Sequence, residues 1–334
     1  MKENLYKHVE FLTTLSPTRN YQNKGSIDKT VNYITKQLQS YGYLVKRQEF
    51  YTEIANYTQC NLTVIYGDST KRRLVVGAHY DVYRDTPGAD DNASAVAGIL
   101  ETARLLKEES PDLDYCVEFV AYANEEPPFF GTEEMGSFIH AKNLHDNNID
   151  VIGMICYEMI GYFTDEQNSQ ELPSEFKQIA KNGIILKALS KLPNIIIDKI
   201  LNQLRIDSEI KSIIMKNKKY MSDIIDGLGL PTVGNFIIVM GQPHKATFNK
   251  NIWSKIKDSS DIDVRYVPLP KEVSLSEMSD HMNYWRFGYN AVMINDTSYI
   301  RNPHYHKSSD KIETLDFDKM TEVVKGVYNS VRRF

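Results

Sequence analysis

Three strand-like runs, each rich in β-branched and apolar residues, are separated by helix-patterned stretches, and each run leads into acids or a histidine. The runs are "RRLVVGAHYD" (72–81), "YCVEFVAYAN" (115–124) and "DVIGMICYEMIGY" (150–162). Between them, the spacing predicts helices from about Ala93 to Lys107 and over "GTEEMGSFIHAKNL" (131–144). Runs this apolar, alternating with helices, have few places to go. They predict a three-layer α/β sandwich whose central mixed, mostly parallel sheet is covered on both faces. Upstream, residues 26–42 read as a helix starting at a Ser cap and stopped by Gly42, followed by strands "YLVKRQEFY" (43–51) and "CNLTVIYG" (60–67). Downstream, "NFIIVMG" and "NAVMIND" read as strands, and Phe317 to Arg333 as a closing amphipathic helix. Residues 174–225 break the rhythm. They are rich in lysine and isoleucine, carry a helical period, and read as a helical insertion in a single domain spanning 1–334.

Composition removes several function classes. Lys plus Arg number 39 against 44 Asp plus Glu, and the net charge of -5 comes without basic blocks, which argues against a nucleic-acid partner. No apolar run is long enough to cross a bilayer, so no membrane partner is expected. The three cysteines stand singly, which suggests neither a disulfide framework nor a cysteine-based zinc site. Without an apolar leader pattern at the start, a cytoplasmic location is expected unless a leader has been trimmed.

The groups that could carry chemistry gather where the predicted strands end. His79 and Asp81 close the first run, and Asp90 and Asp91 stand side by side before the following helix, with no Lys or Arg within several positions. Glu125 and Glu126 follow the second run, Glu158 lies in the third, and "RNPHYHKSSD" adds His304 and His306. Each has an ordinary structural explanation: an Asp before a helix caps it, and a histidine at a strand end is usually hydrogen-bonded in the core. Capping needs one acid, however, which leaves the second of the pair at 90–91 unexplained. A buried Glu158 without a partner would cost several kcal/mol. In an open α/β sheet, strand carboxyl ends meet at one edge. Carboxylates collected there repel one another unless a cation holds them, and Asp, Glu and neutral His suit zinc.

The motifs "HYD", "GADDNAS", "NEEPPFFGTEEMGS", "YEMIGYF", "SDH" and "NPHYHKSSD" resemble, in order and spacing, the co-catalytic di-zinc aminopeptidases, a zinc-exopeptidase family with glutamate-carboxypeptidase and glutaminyl-cyclase relatives. The resemblance covers most of residues 1–163 and 232–334 and is weakest over the insertion. It implies two zinc ions: Asp91 would bridge them, His79 and Glu158 would complete one, and Glu126 and His306 the other. Asp81 matches the acid that holds the first histidine in its ligating tautomer. Asp90 would cap or brace its loop, and His281 would support the site wall without ligating. Glu158 stands where many relatives have Asp, and Ala95 where many have Gly. The resemblance further implies an aminopeptidase acting on peptides with a free N-terminus. A water shared by the two zincs would attack, with Glu125 as general base. Tyr305 would either hydrogen-bond the oxyanion or simply pack. Carboxypeptidase-like or amidohydrolase activity on the same two metals is the nearer alternative. Glutamine cyclisation fits less well, since the cyclase relatives use one metal, and a non-catalytic binding protein would have lost ligands. The insertion could be a surface elaboration, a lid that narrows the cleft, or a dimer contact; the oligomeric state stays open.

Overall fold

The computed structural model describes residues 1–204 and 206–334. Eight strands form one mixed sheet: β1 (Lys46–Thr52), β2 (Tyr57–Tyr66), β3 (Arg73–His79), β4 (Cys116–Tyr122), β5 (Val151–Glu158), β6 (Phe236–Gly241), β7 (Asp263–Pro268) and β8 (Ala291–Asn295). Their order is β1-β2-β4-β3-β5-β8-β6-β7. The central pairings β4–β3, β3–β5 and β5–β8 are parallel, as is β6–β7, while β1–β2, β2–β4 and β6–β8 are antiparallel. The carboxyl ends of β3, β4, β5 and β8 therefore open on one edge.

Helices cover both faces, giving the three layers expected. They are α1 (Lys2–Thr13), α2 (Lys24–Ser40), α3 (Ala95–Glu109), α4 (Gly136–Asp146), α5 (Ser174–Lys181), α6 (Gly183–Leu189), α7 (Asn194–Gln203), α8 (Ser208–Lys216), α9 (Met221–Gly227), α10 (Ala246–Lys257), α11 (His281–Arg286) and α12 (Phe317–Arg332). Strand alternation sorts the core in two. Leu74, Val76, Phe119, Ile155 and Val239 face α1, α2, α3, α10 and α12. Val75, Val120, Cys156, Met240 and Met293 face α4, α11 and the helices between Ser174 and Gly227.

Some elements depart from the sequence reading for local reasons. Helix α2 begins after Asn23, and Ser26 instead gives its hydroxyl to Pro17 O at 2.6 Å. The helix expected from Ala93 begins at Ala95, because Asp91 and Asn92 hold non-helical backbone angles ahead of it. Only Gly136 onward of "GTEEMGSFIHAKNL" is helical. The preceding residues form turns in which Thr132 Oγ1 accepts the Glu134 N–H, and Glu134 reaches the backbone N–H groups of Glu53 and Ile54. Among the described residues no helix is long and apolar enough to cross a membrane.

Candidate metal centre

Strand β3 carries His79 at its last position, and β5 carries Glu158 at its last. Two residues beyond Ala123, where β4 has ended, the chain turns and presents Glu125 and Glu126. The loop after β3 must then bring Asp91 back over this edge, and Gly88 makes the turn possible. Its φ is 64°, and a Cβ there would lie 2.3 Å from Val82 and 2.4 Å from the Asp91 carbonyl. The fully buried Arg19 guanidinium clamps the same loop, donating to the carbonyls of Leu12, Tyr80, Pro87 and Gly88 at 2.6–3.1 Å. The acid pair at 90–91 thus does have a cation near it, supplied by the segment between α1 and α2. Nothing in its sequence neighbourhood signalled this.

The two adjacent acids separate in role. Asp90 points into the fold, accepting the Gly161 N–H at 2.9 Å and the Asn302 amide at 2.7 Å. It braces the loop, and α3 has no side-chain cap. Asp91 points into the cleft, with Oδ1 3.5 Å from His79 Nε2 and Oδ2 3.2 Å from His306 Nε2. It belongs to two groups whose potential ligand atoms lie within 4.8 Å of one another, His79–Asp91–Glu158 and Asp91–Glu126–His306. His79 Nε2 is also 3.4 Å from Glu158 Oε2 and 3.7 Å from Glu125 Oε2, and His306 Nε2 is 3.3 Å from Glu126 Oε2.

Supporting contacts fix these side chains. Asp81 lies 3.4 Å from His79 Nδ1 and accepts the backbone N–H groups of both Glu125 and Glu126 at 3.1 Å. Glu158 Oε2 accepts the Ser279 hydroxyl at 2.6 Å and the Asn92 amide at 3.2 Å. The His306 ring stacks on Tyr305 and on Tyr83, with centroids 3.8 and 4.0 Å away. Asp310 accepts the backbone N–H groups of Asp90 and Asp91. His281 donates its Nε2–H to Ser276 O, 2.8 Å away, and meets Trp285 edge-on, standing outside both groups. His304 pairs with Ser309 and is likewise outside them.

The electrostatics are those of a site built around positive charge. Burial raises the pKa of Glu125 well above the carboxylate range; His79 counters this, and Glu126 and Glu158 add to it. Burial also raises Glu126 to about 8, with Asp91 adding to the shift, and raises Glu158. Asp280, the middle residue of the motif "SDH" and given no role from the sequence, is fully buried nearby and raised to about 7, first by burial. For Asp91 burial works the same way, but the imidazoles of His306 and His79 beside its two oxygens outweigh it and lower the pKa. Burial disfavours the charge on His79, yet Glu125 and Glu158 hold its pKa well above normal. Burial likewise opposes the charge on His306, whose hydrogen bonds to Asp91 and Glu126 raise it to about 9.

A metal fits this set. Neither ring nitrogen of the fully buried His79 makes a hydrogen bond, and Glu126 Oε1 makes none either. Buried donor atoms that converge without partners are costly unless a cation takes them up. The carboxylate and imidazole donors are those zinc accepts. The eight residues given a ligating or catalytic role from the sequence, His79, Asp81, Asp91, Glu125, Glu126, Glu158, Tyr305 and His306, lie within this one constellation. The cleft beside it is lined by Asp91, Glu125, Glu158, Tyr305 and His306, by the polar Gln170, Asn295, Thr297 and Ser298, and otherwise mainly by apolar residues.

Comparison with known proteins agrees with this arrangement. Residues 61–190 match the sequence profile of Peptidase family M28. The uncharacterized protein YfbL of Escherichia coli (strain K12) is 33% identical over 98% of this chain and 88% of its own length. Leucine aminopeptidase 1 of Paracoccidioides brasiliensis (strain Pb03) is 26% identical over 57% of this chain, a match spanning about half, 52%, of the fungal protein. The LapA aminopeptidase of Legionella pneumophila superposes with a TM-score of 0.65 at 18% identity, covering 99% of this chain and 71% of LapA. The glutaminyl cyclase of Bacteroides thetaiotaomicron gives 0.63 at 15% identity, over 100% of this chain and 98% of its own. These two likenesses concern the fold. With a profile match that spans His79, Glu125, Glu126 and Glu158, and a third of its residues shared with a relative along nearly its full length, the chain belongs to peptidase family M28 and is a hydrolase of the peptidase class.

Proposed function

We propose that the chain is a zinc-dependent aminopeptidase that removes N-terminal residues from peptides with a free amine. One observation carries the reading: the Asp91 carboxylate is shared between two ligand groups, while Glu125 borders the same cleft and belongs to neither. His79, Asp91 and Glu158 would hold one zinc, and Asp91, Glu126 and His306 the other. Bound zinc would supply Lewis acidity, making water nucleophilic near neutral pH and polarising the peptide carbonyl.

The protein's own groups do the rest. Glu125, 3.7 Å from His79 Nε2, takes the proton of the attacking water on a carboxylate oxygen and returns it to the departing amine. Asp81 keeps His79 and both glutamates in place through the contacts already described. Burial, reinforced by the nearby carboxylates, raises the Tyr305 pKa, so its hydroxyl keeps its proton and can donate to the tetrahedral oxyanion. The substrate's ammonium group would be held by the site carboxylates, which are otherwise in excess. A cytoplasmic setting is consistent with three buried free cysteines.

The test is metal analysis of the purified chain together with a substrate panel. About two zinc ions per chain and hydrolysis of aminoacyl anilides, but not of N-acylated or C-terminal substrates, support the reading. Preference for N-acylated or C-terminal substrates would replace it with amidohydrolase or carboxypeptidase activity. Conversion of N-terminal glutamine with a single metal would replace it with cyclisation.

A further inference from the structure

The apolar side of the cleft is longer than a leucine needs. Register places Cys156 beside Met293, Met293 beside Met240, and Met240 beside Val267, so one row of side chains crosses β5, β8, β6 and β7 on a single face. Met293, Met240 and Val267 of that row line the same cleft as Glu158, the last residue of β5. Adjacent strands lie about 4.8 Å apart, so β7 is roughly 14 Å from β5. Phe176 of α5 and Leu228, which caps α9, line the cleft opposite this floor. A leucine side chain extends only about 4 Å beyond its Cα.

Resting on the aminopeptidase reading above, we propose that the Met293–Met240–Val267 row forms an elongated side-chain channel selecting N-terminal residues with long, unbranched apolar side chains. Methionine is unbranched and adaptable, so Met293 and Met240 can line a linear chain at many lengths without a fixed shape. Phe176, within the helical insertion, and Leu228, just after it, contribute the opposite wall. The helical insertion is therefore part of the specificity pocket and not only a surface elaboration. The Met293–Met240–Val267 floor and the facing Phe176 and Leu228 offer no charged or hydroxyl partner, so an extended charged side chain lying along them would lose its hydration without a partner.

The experiment is a series of p-nitroanilides of alanine, norvaline, leucine, norleucine and 2-aminooctanoic acid, assayed with the zinc-loaded full chain. Each added methylene should raise kcat/KM by about fourfold, with 2-aminooctanoyl above norleucyl and norleucyl above norvalyl. A maximum at leucine or norleucine followed by a fall would overturn the proposal. Val267→Phe, which blocks the far end, should lower kcat/KM for the 2-aminooctanoyl substrate at least tenfold more than for the alanyl substrate, by order of magnitude from the lost methylenes. An equal loss on both would also overturn it. If no member of the series were cleaved, the aminopeptidase reading would fall, and the channel would be read separately by calorimetry of the free amino acids on the zinc-loaded chain. Binding that tightens with chain length supports the channel, and binding indifferent to length refutes it.

Discussion

The Asp310 carboxylate accepts the backbone N–H of Asp91 at 3.2 Å, across 219 residues of sequence. Its other oxygen takes the Asp90 N–H at 2.9 Å, so one side chain from the loop after β8 fixes the turn that presents the shared carboxylate. Burial, with Asp90 adding to it, raises the Asp310 pKa to about 8. The cost of burying this acid is accepted for the sake of the turn. Asp310→Ala removes both acceptors while leaving every ligand in place. Metal affinity, measured by competition with a chromogenic chelator, should fall about 10- to 100-fold. Asp310→Asn, which keeps one acceptor oxygen, should fall between this and the parent. Unchanged affinity in both variants would mean that the turn holds without Asp310.

Glu125 separates ligation from proton transfer. It lines the cleft but is in neither ligand group, so Glu125→Gln should keep the metal and lose turnover. The expected fall in kcat is about a hundred- to ten-thousand-fold, the usual worth of a positioned general base. Metal content per chain should match the parent. Loss of metal along with activity would make Glu125 a ligand, and full activity would remove it from the mechanism.

What could be read from the sequence was what depends on local pattern. The runs ending at His79 and Glu158 are apolar enough to be strands, and their parallel pairing with β3 at the centre follows from the helices between them. The sheet edge then gathers their terminal residues without further information. The edge strand β7 was missed because it is only partly buried and places Asp263 and Arg265 among its apolar residues, so it shows neither a continuous run nor clean alternation. Helix α1 was likewise unread; its segment was weighed only as a possible leader. Arg19 was not recognised as part of the site, and Ser279 and Asp310, though inside the motifs "SDH" and "NPHYHKSSD", were given no role, because their partners lie far along the chain. An arginine or serine in isolation carries no sign of the loop it will hold. The irregular turn at Asp91 was equally hidden, since "DDNAS" next to an apolar stretch reads as the start of a helix.

Packing beneath the site is tight enough to test. At Gly77, two residues before His79, an added Cβ would sit 2.3 Å from the Tyr122 ring. That ring cannot move freely, because its hydroxyl meets the Tyr284 hydroxyl at 2.7 Å, which in turn meets His140 Nδ1 at 2.7 Å. Gly77→Ala should therefore destabilise the fold by about 1–3 kcal/mol, read as a lower midpoint in urea with unchanged slope. A midpoint within error of the parent would show that Tyr122 and its partners yield at little cost.

The final prediction concerns pH, and its sign follows from the two groups around Asp91. Hydrogen bonds to Asp91 and Glu126 outweigh burial and raise His306 from 6.5 to about 9, and burial with Asp91 raises Glu126 from 4.5 to about 8. Both groups hold their protons more tightly in the folded, metal-free chain than in the unfolded one. The stability they contribute is fully present below their unfolded values and is lost as pH rises through about 8 and about 9. Asp91, lowered by the same histidines, acts in the opposite sense, losing its contribution only in strong acid. The Tm of chelator-stripped protein should therefore fall from about pH 4.5 to 9, most steeply between about 6.5 and 8, where both groups contribute. Zinc must displace protons from His306 and Glu126 in order to bind, so its stabilising effect should grow over the same range. Calorimetric scans of stripped and zinc-loaded protein at half-unit intervals measure both. A stripped-protein Tm that is level or rises toward pH 9, or a zinc increment that shrinks there, would show that these two side chains do not govern the stability of the centre.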